Sequence, residues 1–203
     1  MRGTDLSNRK IYRKLRANRL TNMRRIAFIF LIFAIALGMS SSTFASKLIK
    51  APEWMISEWI NGSGTSLHDL RGKVVVVEFF QLWCPGCNKF SIPLMKEWGQ
   101  TFHDEITAGD LTILSIHTVF EGHDYQTPER LRNFVKEKGI HHLVGIDHHN
   151  SGEHLPETMK RYNTMGTPEV AIIDKQGMIR MQRFGGFDTD RAAQLLRHLL
   201  ASS

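Results

Sequence analysis

Val76-Val77-Glu78-Phe79-Phe80-Gln81-Leu82-Trp83-Cys84-Pro85-Gly86-Cys87 is the stretch on which the reading of this 203-residue chain turns. Upstream it continues from Lys73 through Val74 and Val75, a β-branched run that suits a strand buried on both faces. Downstream, Phe90, Leu94, Trp98 and Phe102 recur every four residues, which predicts a helix from Pro85 to about Ile106. Both cysteines of the chain therefore sit where a buried strand passes into a helix. At a helix N-terminus the unpaired N–H groups and the macrodipole favour a negative sulfur, so Cys84 is the candidate nucleophile. Cys87, one turn further in, is shielded but within reach. Cys84 can open a substrate disulfide and form a mixed disulfide, which Cys87 then resolves. Pro85 in the first turn of the helix costs no backbone bond. A bare C-x-x-C also suits two inert buried thiols or half a metal site; Trp83 and the strand-to-helix junction favour redox chemistry. Two cysteines exclude a disulfide-framework miniprotein, and also a four-cysteine zinc or iron–sulfur site within one chain.

Outward from this centre, strands and helices alternate. Pro52 to Gly64, broken by Asn61-Gly62, reads as a hairpin-like opening, and Ser66 to Leu70 as a short helical turn. Leu111 to His117 is a second buried strand. Thr127-Pro128-Glu129 opens a helix that runs to Lys138 before Gly139. Leu143 to Ile146 is a short strand and Leu155 to Tyr162 a short helix. Glu169 to Asp174 and Met178 to Phe184 are strands joined by the Lys175-Gln176-Gly177 turn. Thr189 to Leu200 closes the chain as a helix with a leucine stripe. This order predicts an α/β fold, a mixed central sheet flanked by helices.

The formal net charge of +6 suggests an anionic partner at first sight. Its distribution says otherwise. Residues 1–25 carry nine basic residues and one acid, net +8, while residues 46–203 carry 17 basic and 19 acidic residues, net −2. No nucleic-acid partner is expected of the near-neutral body. Between them, Ile26 to Leu37 is an unbroken apolar run, and Thr43-Phe44-Ala45 offers small residues for a cleavage after Ala45. A basic region, an apolar region and a small-x-small site, in that order, read as an export signal. At about 12–14 residues the run falls short of the roughly 20 that span a bilayer. Residues 1–45 are thus assigned as a basic region plus signal peptide, with translation expected to begin at Met23, and residues 46–203 as the exported domain. Without cleavage, 26–39 would instead tether that domain to the membrane. The expected location is the periplasm or cell envelope.

With these residues in view, the chain from Ala51 to about Leu200 resembles the thioredoxin-like oxidoreductases, in particular their exported TlpA/ResA-like branch. Ala51-Pro52-Glu53-Trp54 with Asn61-Gly62, and Ser66 to Val76, look like that branch's opening β-hairpin and lead-in. The segment quoted first looks like its active-site strand and turn, and Gly166-Thr167-Pro168-Glu169-Val170-Ala171-Ile172-Ile173-Asp174 like its cis-proline segment. The resemblance implies a thioredoxin-like fold with an N-terminal β-hairpin extension, and exchange with protein thiol or disulfide substrates. It makes the Cys84–Cys87 pair the redox group, with no bound organic cofactor and a redox donor or acceptor protein as partner. It implies that Pro168 is cis and that the Thr167 backbone faces Cys84, where it pairs with an extended substrate segment. Trp83, Pro85 and Gly86 form the rim. Glu78, alone among apolar neighbours on its strand, takes the place of the acid that moves a proton on or off the second cysteine. One departure is Pro93, which comes six residues after Cys87 rather than five and predicts a one-residue bulge in the helix.

Two rival functions would draw on the same residues. A copper-handling thioredoxin fold would use Cys84, Cys87 and a histidine as ligands for Cu(I). Copper carriers of this fold, however, usually separate their cysteines by three residues. His141-His142 and His148-His149 lie beside a strand where adjacent side chains point to opposite faces, and read as an exposed loop cluster; no metal is assigned. A peroxiredoxin-like peroxidase would need Pro-x-x-x-Thr-x-x-Cys, but Gln81 and Cys84 hold the threonine positions before the two cysteines.

Overall fold

The computed structural model describes residues 49–202; the expected leader and its cleavage site lie outside them. Seven strands form one mixed sheet: β1 (Ile49–Lys50), β2 (Ile56–Ile60), β3 (Val74–Phe80), β4 (Leu111–His117), β5 (Leu143–Asp147), β6 (Glu169–Ile173) and β7 (Met178–Phe184). Their spatial order is β1-β7-β6-β3-β4-β5-β2. β3, β4 and β5 run parallel, while β6, β7, β1 and β2 pair antiparallel with their neighbours. The helices are α1 (Ile92–Thr101), α2 (His103–Ala108), α3 (Pro128–Lys138), α4 (Glu157–Tyr162) and α5 (Thr189–Ala201), with a π turn over Cys87–Ser91 leading into α1.

β3 lies at the centre with every residue buried. Its alternation sorts the core into two layers. Val75, Val77 and Phe79 pack with Trp54, Leu70 and Tyr162 on one face. Val74 and Val76 pack on the other against Trp98 of α1 and Leu196 of α5. Further along that second face, Phe80 joins Cys84, Cys87 and Leu131 of α3. Glu78 falls on this face between the two apolar groups, the one polar position of the strand.

Three expectations are corrected. The opening is not a β-hairpin: β1 pairs with β7 and β2 with β5, so they lie at opposite edges of the sheet. Asn61-Gly62 is not a hairpin turn because the Asn61 side chain is engaged elsewhere. At φ 69° it donates to the carbonyls of Ile140 (2.8 Å) and His142 (3.0 Å), tying the end of β2 to the approach to β5. The helix expected from Pro85 to Ile106 is interrupted at Phe102, whose φ of −110° and ψ of 30° leave helical geometry between α1 and α2. The helix expected from Leu155 begins at Glu157, because Pro156 holds an extended conformation at its N-cap and disfavours helix before it.

α4 is held to the sheet by Asp147 at the end of β5. Its carboxylate accepts from the backbone N–H of Thr158 (2.8 Å) and Met159 (3.0 Å), donors of the helix's first turn. It also accepts from the Thr118 hydroxyl (2.9 Å), which follows β4. Asp147→Ala leaves these buried donors without an acceptor, at about 1–3 kcal/mol per group. A loss of roughly 3 kcal/mol in urea unfolding is expected, with Asp147→Asn losing less because one acceptor oxygen remains.

Candidate redox site

The site begins with how β3 becomes a helix. The Cys84 carbonyl accepts from the Asn88 N–H (3.1 Å), which makes Cys84 the N-cap residue and Pro85 the first helical residue. The Cys87 N–H points at Cys84 Sγ, 3.1 Å away, so the sulfur occupies the place of a capping oxygen. A negative sulfur there meets both a donor and the positive end of the helix. Cys84 and Cys87 are joined as a disulfide, with Cα atoms 5.2 Å apart. Cys84 is 7% exposed and Cys87 0%. The turn is pinned by Asn88, whose side-chain amide donates to the carbonyls of Leu82 (2.8 Å) and Cys84 (3.0 Å).

The bulge predicted from Pro93 is the π turn. The Ile92 N–H donates to the Cys87 carbonyl five residues back. Pro93 then falls in the first turn of α1, where its missing N–H costs no helical bond.

The Thr167–Pro168 peptide is cis. The Pro168 ring lies against Gly86: a Cβ on Gly86 would stand 2.9 Å from Pro168 Cδ and 4.0 Å from Cys84 Sγ. Glycine is required here by close approach. The loop before Pro168 is held by buried Glu169, which accepts from the Met165 N–H (3.0 Å) and from the Gln182 amide. Pro168's own carbonyl accepts from the Gly185 N–H (2.8 Å). The exposed Met165 and the half-exposed Phe184 flank this loop.

Trp83 is 45% exposed and stacks on Tyr125 at 5.8 Å between centroids with 14° between planes. The Arg130 guanidinium covers the Tyr125 ring at 4.3 Å. Contacts of these two kinds each contribute about 0.5–1.5 kcal/mol. Trp83 Nε1 donates to Gln81 Oε1 at 3.2 Å. The indole lies over Gly122, where a Cβ would come within 2.0 Å of it and where φ is +62°. The segment after β4 thus forms the seat of the Trp83 ring. It is anchored by Gln126, whose carbonyl oxygen accepts from the Leu82 N–H (3.0 Å) and His117 Nε2 (3.2 Å).

Glu78 is fully buried. Its Oε1 accepts from the Ser91 hydroxyl of the π turn, and its Oε2 from Ser115 at 2.5 Å, directly across on β4. Burial pushes its carboxyl up to about 7, outweighing the two hydroxyl bonds that oppose it. Its hydrogen bonds go to these serines, and Cys87 lies four residues before Ser91 on the π turn. Ser115 Oγ also meets His142 Nε2 at 2.8 Å. His142 is therefore half-buried and bonded inward, which corrects its reading as an exposed loop histidine. No group of three His, Cys, Asp or Glu side chains converges as a metal site among the described residues.

Of the residues expected from sequence, Cys84, Gly86 and Pro168 come together, with Pro85 and Thr167 adjoining them in the chain, Cys87 sealed behind Cys84, Trp83 next to Cys84 in the chain and stacked on Tyr125, and Glu78 beneath the π turn. Sequence reasoning missed Ser91, Ser115, Gln126, Tyr125 and Glu169. Their sequence signal is slight: Ser115 interrupts the apolar Ile113-Leu114 and Ile116, and Glu169 opens an otherwise apolar β6, but nothing marks the others.

The profile described as the AhpC/TSA family matches residues 49–182. The protein DipZ of Mycobacterium tuberculosis is 28% identical over 151 residues, 71% of this chain and 20% of that protein, so the chain spans about a fifth of its length. The thiol-disulfide oxidoreductase ResA of Bacillus anthracis is 27% identical over 179 residues, 84% of this chain and 91% of that protein. Among solved structures, a thiol-disulfide isomerase from Corynebacterium glutamicum is 41% identical with TM-score 0.67, covering 75% of this chain and 98% of that one. A thioredoxin-like superfamily protein is 38% identical with TM-score 0.71, covering 76% and 98%. The fold is thioredoxin-like, and the chain belongs to the AhpC/TSA family.

Proposed function

We propose that this protein is an exported thiol–disulfide oxidoreductase that exchanges disulfides with protein substrates through Cys84 and Cys87. The observation that carries this is the asymmetry of the pair: Cys84, at a helix N-cap with its Sγ accepting the N–H of Cys87, keeps a 7% opening to solvent, whereas Cys87 has none. In the reduced protein the Cys84 thiolate attacks a substrate disulfide, forming a Cys84–substrate bond and expelling the other substrate sulfur as a thiolate. Cys87 then loses its proton and attacks Cys84 Sγ. The Cys84–Cys87 disulfide forms and the second substrate sulfur leaves, so two electrons pass to the substrate. The reverse sequence oxidises a substrate dithiol. A second redox protein resets the pair, and the dithiol needs no organic cofactor or metal.

Glu78 takes the Cys87 proton during resolution and returns it in the reverse step. The backbone at Thr167 and Pro168 holds an extended substrate segment as a strand would. Trp83, Met165 and Phe184 supply apolar contact around it. Export rests on the +8 leader, the apolar run and Ala45.

Trapping tests the exchange. Cys87→Ala should accumulate mixed disulfides with envelope proteins through Cys84, and Cys84→Ala should not; absence of adducts in Cys87→Ala would overturn the mechanism. Glu78→Gln tests the proton acceptor. Resolution in the wild type should rise with pH through about 7 as Glu78 ionises, and the variant should lose that rise. Stability offers a second check of the same group. The folded state keeps a proton on Glu78 that the unfolded chain loses between pH 4.5 and about 7. Wild-type stability should therefore fall across that window, and Glu78→Gln should not show this fall. Gly86→Ala forces a methyl toward the Pro168 ring. It should lower kcat/KM for protein substrates by on the order of tenfold, about 1.4 kcal/mol, while exchange with a small dithiol changes less.

A further inference from the structure

Resolution raises a problem of access. Cys87 and Glu78 are both fully buried, and in the proposed exchange a bound substrate polypeptide closes the narrow opening at Cys84. A proton taken by Glu78 needs another way out. Behind it, Glu78 Oε2 meets Ser115 Oγ at 2.5 Å, and Ser115 Oγ meets His142 Nε2 at 2.8 Å. His142 in turn lines a cavity of about 380 Å³ together with Lys96, Gln100, His103, Ile113 and His141. None of these residues belongs to the rim formed by Trp83, Gly86, Thr167 and Pro168.

We infer that Ser115 and His142 form a proton relay from Glu78 to this rear cavity, serving Glu78 while substrate closes the front. The inference rests on the reading of Glu78 as the proton acceptor for Cys87. On the outward pass, Glu78 gives its proton to Ser115 Oγ as the Ser115 hydroxyl gives its own to His142 Nε2. The ring then releases the proton on Nδ1 to the cavity. Ser115 ends as donor to the Glu78 carboxylate, and His142 Nε2–H as donor to Ser115. One proton has left, and each group keeps its proper valence. When the partner protein reduces the pair again, Cys87 needs a proton back. The same three hops run inward and reset the ring, so each redox cycle restores the relay.

The neighbours fit this use. Glu78 faces only the Ser91 and Ser115 hydroxyls among its hydrogen-bonding partners. His142 faces Ser115 on β4, Lys96 on α1, His103 on α2 and His141 beside it. Burial, and His141 to a lesser degree, push His142 down to about 4, so the ring rests neutral and passes a proton without holding it. Lys96 is turned toward the Lys138 carbonyl at 2.9 Å. Asn61 fixes the backbone of the relay's outer end through its bond to the His142 carbonyl (3.0 Å).

Chemical rescue distinguishes a proton path from a structural role. The step to follow is release of substrate from the Cys84 mixed disulfide, by rapid quench between pH 6 and 8. His142→Ala should slow release on the order of tenfold at pH 7, leave the first attack by Cys84 unchanged, and be restored by added imidazole entering the enlarged cavity. Ser115→Ala should slow release similarly and gain nothing from imidazole, because the break lies deeper. Neither change should slow Glu78→Gln further. Slow release in Glu78→Gln with wild-type release in both relay variants would overturn the relay and leave Glu78 as the acceptor. Slow release in His142→Ala that imidazole does not restore would also overturn it. Wild-type release and pH profile in Glu78→Gln would instead remove the underlying assignment of Glu78.

Discussion

The Cys84–Cys87 turn depends on one junction, where a strand buried along its whole length must end in a helix N-terminus. β3 has no exposed residue, so the chain leaving it emerges from the middle of the sheet. The first helical bond goes to the Cys84 carbonyl, and the Cys87 N–H to the Cys84 sulfur. In the proposed exchange, the residue that caps the helix is also the one a substrate reaches. The reactive position and the structural position are one, because free N–H groups occur only in the first turn. The buried helix beyond it places the second cysteine out of solvent without any further device.

Pro93 shapes what lies beneath that junction. The π turn from Cys87 to Ser91 lets the helix continue past a residue with no N–H. Ser91, at the end of that turn, is directed onto Glu78, and Ser115 approaches the same carboxylate from β4. The carboxylate then has a hydroxyl on each oxygen. Two neutral hydroxyl bonds are too weak to offset burial, so Glu78 holds its proton near neutral pH. Glu169 is equally sealed, but it is used differently: a backbone N–H and an amide engage it, and it fixes the loop that presents Pro168. Burial alone does not make a carboxylate a proton carrier. What surrounds it decides, and hydroxyls that can turn about their bonds offer a path that a fixed backbone N–H does not.

The rim is built from contacts that require small residues. Gly86 admits the Pro168 ring beside Cys84, and Gly122 admits the face of Trp83. Trp83 is therefore clamped between a backbone and Tyr125 while remaining half exposed. In the proposed exchange, a rigid aromatic surface next to Cys84 would offer contact area to a substrate at little cost in side-chain entropy.

Much of this was legible in the chain itself. The valine run and the four-residue apolar repeat determined a buried strand and a helix with both cysteines at their junction, because each rests on local periodicity. Pro93's offset determined the bulge, since the missing N–H acts wherever the residue falls. The opening hairpin was misread because β1 and β2 find partners over a hundred and over eighty residues away, β7 and β5, and nothing local distinguishes those pairings from a turn at Asn61-Gly62. The same holds for the site's interior. Glu78 is visible as a lone acid in an apolar strand, but its partners Ser91 and Ser115, and His142 beyond Ser115, come from three other segments. Only the tertiary structure joined them, because a hydrogen bond between distant segments depends on sheet register and helix placement, and neither is written in the spacing of the residues that share the bond.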